Sequence, residues 1–186
     1  MTKIKKITLC AIMVAMATVL ALISKIIPAP WLQGGSVTVA SMVPIIVASV
    51  VIDCRWGLLT AVVYSLIQMM TGFYPPPTQT IFNFFLVVFL DYILAFGVLG
   101  FAGGFYRLFG GKRWSMALSG AIVTFLRYIC HIVSGLLIWG VYAEEGQSVL
   151  AYSLIYNGTY MVPEIIITTV TLMLLSGIIE KIKETA

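Results

Sequence analysis

Charge is what this sequence has least of. Only 10% of its 186 residues are Asp, Glu, Lys or Arg, against about 25% in a typical soluble domain, too few to coat a water-facing surface. Cysteine is equally sparse. Cys10, Cys54 and Cys130 lie far apart, in or beside apolar segments; an odd count with no pairing spacing argues against a disulfide framework or a zinc site. His131 is the sole histidine, which rules out a multi-histidine metal centre. There is no glycine-rich phosphate loop and no nucleophile motif. His131 with Ser134 or Ser153 is a conceivable nucleophile–base couple, but serines are common packing residues in membrane helices. The sequence points away from an enzyme and asks for no cofactor. Its formal charge of +4 does not imply nucleic acid either, because the basic residues keep to one side of the pattern described next.

What is abundant is apolar surface: 61% of the residues are hydrophobic and the mean hydropathy is +1.06. Apolar segments run over residues 7–27, 37–52, 56–72, 81–105, 116–141 and 156–179. A membrane helix needs roughly 20 such residues at about 1.5 Å each, so six of them use roughly 120 residues and leave no room for a soluble ATPase domain. Barrel strands alternate polar and apolar residues; these segments do not. The expectation is therefore one all-α integral membrane domain over residues 1–186, with six transmembrane helices and membrane lipid as its solvent. Lys3, Lys5 and Lys6 before an apolar run to Ile27 mimic a signal peptide, but the run exceeds the usual 7–15 residues and reads as a retained first helix.

Basic residues set the orientation. They fall in the N-terminal tail, at Arg55, at Arg107, Lys112 and Arg113, and at Lys181 and Lys183. The connections at 28–36, 73–80 and 142–148 hold neither lysine nor arginine. Both termini are accordingly expected in the cytoplasm, with Lys25 and Arg127 as the two exceptions to the rule. The outer loops Pro28–Gly35 and Gly72–Pro77 are rich in proline, glycine and aromatics, the composition of a lid as well as of an interfacial belt.

Ionisable residues inside a membrane are costly and mark functional sites by default. Here they are Asp91, Arg127, His131 and Glu164. Arg127, His131, Gly135 and Trp139 recur every four residues, a spacing that shares one helix face and predicts a stripe about 18 Å long. The same rise places Asp91 about 15 Å and Arg127 about 21 Å below the outer ends of their helices, and Glu164 about 12 Å along the sixth. His131, Trp139, Tyr152 and Asn157 fall nearer the outside, so a polar cup open to the exterior is predicted. A plain Asp91–Arg127 tie between helices, a packing histidine and an interfacial tryptophan are the blander alternatives. A simple tie does not need acid, base, imidazole, indole, phenol and amide together.

Several segments, in order along nearly the whole chain, carry a resemblance. They are Gln33-Gly34-Gly35-Ser36-Val37, Leu90-Asp91-Tyr92-Ile93, Leu126-Arg127-Tyr128 with His131 and Ser134-Gly135, Tyr152-Ser153-Leu154, Tyr156-Asn157, and Tyr160-Met161-Val162-Pro163. This set resembles the ThiT/YuaJ family, the thiamine-binding S components of energy-coupling factor (ECF) transporters. The resemblance implies a six-helix bundle with an outward-facing vitamin pocket in a prokaryotic cell membrane. Asp91 is then the pocket acid with Tyr92 beside it, and Arg127 the base. His131, Gly135 and Trp139 follow on the same stripe, Tyr152 and Asn157 close the set, and Trp31 covers the ligand from the first outer loop. Some members carry glutamate and lysine where this chain has Asp91 and Arg127. Glu164 lies outside the family's pocket pattern.

Thiamine suits these residues. Its thiazolium cation favours aromatic faces and a carboxylate, and its aminopyrimidine needs hydrogen-bond partners and a flat wall. Arg127 is expected to hold Asp91 ionised by proximity. With Glu164 charged and His131 neutral, the site would then complement a monocation. The resemblance further implies docking on a module of two ATPases and a transmembrane scaffold. Ala11 and Ala15, with Ala17 and Ala21, are small-xxx-small pairs that permit close helix approach, and Ala11 and Ala15 are the expected docking face. A stand-alone proton- or ion-coupled carrier using Asp91 and Glu164, or a receptor for a related vitamin, are the alternatives.

Overall fold

Residues 1–26 and 34–185 are described by a computed structural model, and among them there are six helices and no strand. Helix α1 spans Lys3–Ser24, α2 Val43–Val51 and α3 Cys54–Gly72. Helix α4 runs over Ile81–Leu108, α5 over Arg113–Leu137 and α6 over Val149–Thr185. Local chemistry sets several of these ends. The Asp53 carboxylate accepts from the amides of Arg55 and Trp56 at 2.9 and 3.1 Å, capping α3 and making the expected tight turn after α2. Thr80 caps α4 by accepting from Asn83 N at 3.2 Å.

Helices α1, α4, α5 and α6 are each long and apolar enough to cross a membrane. Their outer faces carry large exposed apolar side chains, among them Ile12, Val19, Phe85, Phe125, Leu137, Ile166 and Leu174. A soluble monomer keeps contiguous exposed apolar patches small; a bundle in lipid needs them. This is a multi-pass membrane protein.

The second helix departs from expectation. Val37–Ile52 reads as one apolar span, yet only Val43–Val51 is helical, and all nine of its residues are buried. Nine residues rise about 13 Å, less than half of a ~30 Å hydrocarbon core, so α2 is an internal plug and not a full span. Residues 34–42 ahead of it are irregular. Non-helical backbone at this depth is tolerated only when protein groups satisfy it, and here they do. Val39 N donates to Ser24 Oγ at 2.8 Å, Thr38 N donates to Glu164 Oε1 at 2.5 Å, and Gly34 O accepts from Tyr156 OH at 2.7 Å.

Helix α4 is continuous but not uniform: it is π-helical over Val88–Leu94 and tightens to 3₁₀ over Val98–Phe101. Ser49 of α2 repairs the tight part, donating to Gly100 O and accepting from Gly103 N at 2.9 Å. A Cβ at Gly57 or Gly103 would collide with Ser49, so glycine lets three helices meet around one hydroxyl. At this end of the bundle Lys6 pairs with Asp53 at 3.7 Å and Arg113 with Glu180 at 2.9 Å. At the opposite end Lys25 donates to Thr71 O at 2.7 Å. The lysine that breaks the charge rule caps the C-terminus of α3. All three cysteines are free.

Candidate binding site

The π-helical turn of α4 holds Asp91, and its carboxylate is fully engaged. Oδ1 lies 2.9 Å from His131 Nδ1; Oδ2 accepts from Ser134 Oγ at 2.6 Å and from Trp139 Nε1 at 3.1 Å. Short single-turn π segments inside α-helices recur at functional sites. At 3.6 residues per turn, positions five apart sit about 140° round a helix; the wider π turn instead lets Asp91 and Phe96 border the same cavity.

Arg127 does not pair with Asp91. Its Nε donates to His131 Nε2 at 3.3 Å, and its guanidinium carbon stands 4.0 Å over the Phe96 ring. Arginine nitrogens only donate, so His131 Nε2 is the bare, accepting nitrogen, and Nδ1 carries the proton given to Asp91. The imidazole is therefore neutral and bridges cation and anion. The direct Asp91–Arg127 ion pair expected from sequence is corrected to a three-residue relay, because four-residue spacing on α5 places His131 between them. Of the two serines weighed as partners for His131, Ser134 Oγ donates to Asp91 at 2.6 Å and Ser153 Oγ donates to Ile132 O at 3.0 Å.

These groups line a cavity of about 160 Å³, room for on the order of ten waters. Asp91, Tyr92, Arg127, His131, Gly135, Trp139, Tyr152 and Asn157 all border it. Their individual tasks differ from expectation. Trp139 belongs to a 3₁₀ turn, Trp139–Tyr142, beyond the end of α5, so the stripe of four residues is completed across a helix terminus. Tyr92 OH donates to Gly72 O and accepts from Tyr74 N, both at 3.1 Å, which fixes the loop after α3. That loop sets Tyr74 against Trp139, ring centres 5.5 Å apart. Asn157 Nδ2 is spent on Ser153 O, Ser153 Oγ and His131 O at 2.9–3.2 Å, and its Oδ1 accepts from Tyr160 OH. Tyr152 OH is buried with no hydrogen-bond partner among the described residues, a group placed to meet a ligand.

Two expected site residues are not placed in the cavity. Glu164 is 2% exposed and is not among the residues lining the cavity; its Oε1 accepts from Thr38 N instead. Trp31 lies outside the described residues. Sequence reasoning also passed over wall residues: Tyr74, Phe96, Tyr156 and Tyr160. A signal was present for two of them, since Tyr152, Tyr156 and Tyr160 recur every four residues on α6.

Gly135 contributes backbone. A Cβ there would overlap Ser153 Oγ, so glycine lets α5 and α6, the most extensively paired helices, touch beside the cavity. Gly135→Ala is expected to destabilise the fold by about 1–3 kcal/mol through overpacking. The midpoint of thermal unfolding in detergent reads this directly; an unchanged midpoint would mean that Ser153 yields without cost.

Membrane-crossing helices around an internal polar cavity are the architecture of a membrane transport protein. Residues 7–184 match the family of thiamine transporter proteins (Thia_YuaJ), and this chain belongs to that family. The thiamine transporter ThiT of Bacillus subtilis (strain 168) is 36% identical over 177 residues, covering 89% of this chain and 86% of the relative. ThiT of Lacticaseibacillus paracasei is 37% identical over 78 residues, 37% of this chain and 39% of the relative. A solved structure of ThiT from Listeria monocytogenes shares the fold, with a TM-score of 0.74 over 97% of this chain and 98% of that one at 22% identity.

Proposed function

We propose that this chain is the thiamine-binding S component of an ATP-driven energy-coupling factor importer, taking thiamine with high affinity from the outside of a prokaryotic cell. The observation that carries this reading is Asp91, one carboxylate held by three donors at the wall of an aromatic-lined cavity, in a family whose named relatives are thiamine transporters. A carboxylate so fixed attracts the thiazolium cation, and the faces of Trp139 and Tyr74 favour the same charge. The aminopyrimidine finds hydrogen-bonding capacity in the Tyr152 hydroxyl, which has no partner among the described residues, and in the guanidinium of Arg127. The clustering of basic residues supports cytoplasmic termini, which puts the Tyr74–Trp139 end of the cavity on the exterior side.

ATP hydrolysis has to come from partners, since the chain carries no nucleotide-binding motif. We assign the docking of the two ATPases and their transmembrane scaffold to α1. Ala11 and Ala15 are exposed and line an apolar groove between α1 and α3, with Leu59 and Val63 opposite. Ala17 and Ala21 are buried and serve packing within the bundle. Titration of the purified protein with vitamins tests the ligand. Trp139 stands in the cavity wall, so thiamine is expected to quench tryptophan fluorescence saturably below micromolar concentration, while riboflavin and biotin do not. Quenching by another vitamin and none by thiamine would overturn the assignment.

A further inference from the structure

The irregular segment 34–38 forms one wall of the cavity, through Gly34, Gly35 and Ser36. Its backbone is unusual: Gly34 and Gly35 have φ of 88° and 97°, and Ala40 just beyond has φ of 60°, a conformation that costs a non-glycine residue about 1–2 kcal/mol. Such a path persists only where the surroundings over-determine it. Successive turns of α6 supply that constraint. Tyr156 OH donates to Gly34 O at 2.7 Å. The Tyr160 ring packs so closely on Gly35 that a Cβ there would run into it. Glu164 Oε1 accepts from Thr38 N at 2.5 Å. Tyr156, Tyr160 and Glu164 are four residues apart and share one helix face.

Glu164 is the costliest of the three fastenings. Its other oxygen, Oε2, is buried without a partner among the described residues, and burying a carboxylate is expensive unless it is paired and hydrogen-bonded. Among the described residues its hydrogen bonding is to Thr38. We infer that Glu164 is a positioning residue: it pins the 34–38 wall to α6 and shapes the thiamine site through that wall, not through its own charge. This rests on the proposed function for its ligand, but the fastening itself can be read without any ligand.

The experiment compares Glu164→Gln and Glu164→Ala. Glutamine keeps an acceptor for Thr38 N–H and removes the charge; alanine removes both. Hydrogen exchange of ligand-free protein is expected to show the amides of residues 35–39 protected in E164Q and exchanging about tenfold faster or more in E164A, which leaves the Thr38 N–H without its acceptor. Thiamine should leave E164A about tenfold faster with a smaller change in association rate, while E164Q stays within about threefold of the unmodified protein. Equal losses in the two variants would overturn the inference in favour of charge. Unchanged exchange in E164A, or altered exchange with unchanged thiamine release, would overturn it as well. The expected exchange pattern in a protein that does not bind thiamine would leave the fastening standing and sink the ligand assignment. Should E164A fail to fold, Glu164→Met takes its place, because it fills similar space without an acceptor for Thr38 N–H and is expected to open the same amides.

Discussion

Asp91→Asn is expected to weaken thiamine binding by at least about 100-fold, read by fluorescence titration. Asparagine keeps the shape of aspartate but offers one acceptor oxygen where three donors converge, from His131, Ser134 and Trp139. Its amide NH₂ must then face a hydroxyl or indole N–H, leaving a buried donor unsatisfied at about 1–3 kcal/mol. The charge goes too. Removing one partner from a buried, hydrogen-bonded charge pair costs about 2–5 kcal/mol, and about 2.7 kcal/mol is already 100-fold. The loss should be larger for thiamine than for an uncharged analogue of the same shape, because only the cation uses the carboxylate's field. Equal losses for both would assign Asp91 a purely structural part.

Replacing both Ala11 and Ala15 with leucine is expected to abolish uptake by cells while thiamine binding to the purified chain stays unchanged. Both methyls lie on the exposed side of α1, at the floor of the groove shared with α3. Helices in lipid gain little from the hydrophobic effect and associate by close packing, which small residues permit. Two leucines fill the groove and hold a partner helix away. They leave the cavity alone, since no residue of α1 borders it. Lost binding alongside lost uptake would show that the substitutions damage the bundle, and unimpaired uptake would move the docking face elsewhere. Ala17→Leu is the control in the opposite sense: that side chain is 0% exposed, so its enlargement should unfold the protein before it affects docking.

Much of this molecule is legible along the chain. Long apolar runs in a sequence poor in charge demand helices in lipid, because each peptide group must be bonded within its own segment. The four-residue recurrence of Arg127, His131, Gly135 and Trp139 placed a polar face toward the interior, since exposure to lipid is costly for any charged side chain. Asp91, Tyr152 and Asn157 were reachable by depth, a one-dimensional count at 1.5 Å per residue. These features depend on local periodicity and on the price of burying charge, and both are written in residue order.

The tertiary structure decided what depends on partners distant in sequence. Apolar content does not distinguish a helix from a buried irregular segment, so only packing reveals that the second segment is half helix and half irregular chain. The π turn at Asp91 changes which residues share a face, and nothing in the local composition announces it. Whether Arg127 meets Asp91 directly or through His131 is a matter of a few ångströms between two helices. Glu164 illustrates the same limit: its depth allowed a place in the cavity, but rotation about the α6 axis and the route of residues 34–42 turned it toward Thr38. Angle and register between elements arise from the sum of many side-chain contacts, and no stretch of sequence holds that sum by itself.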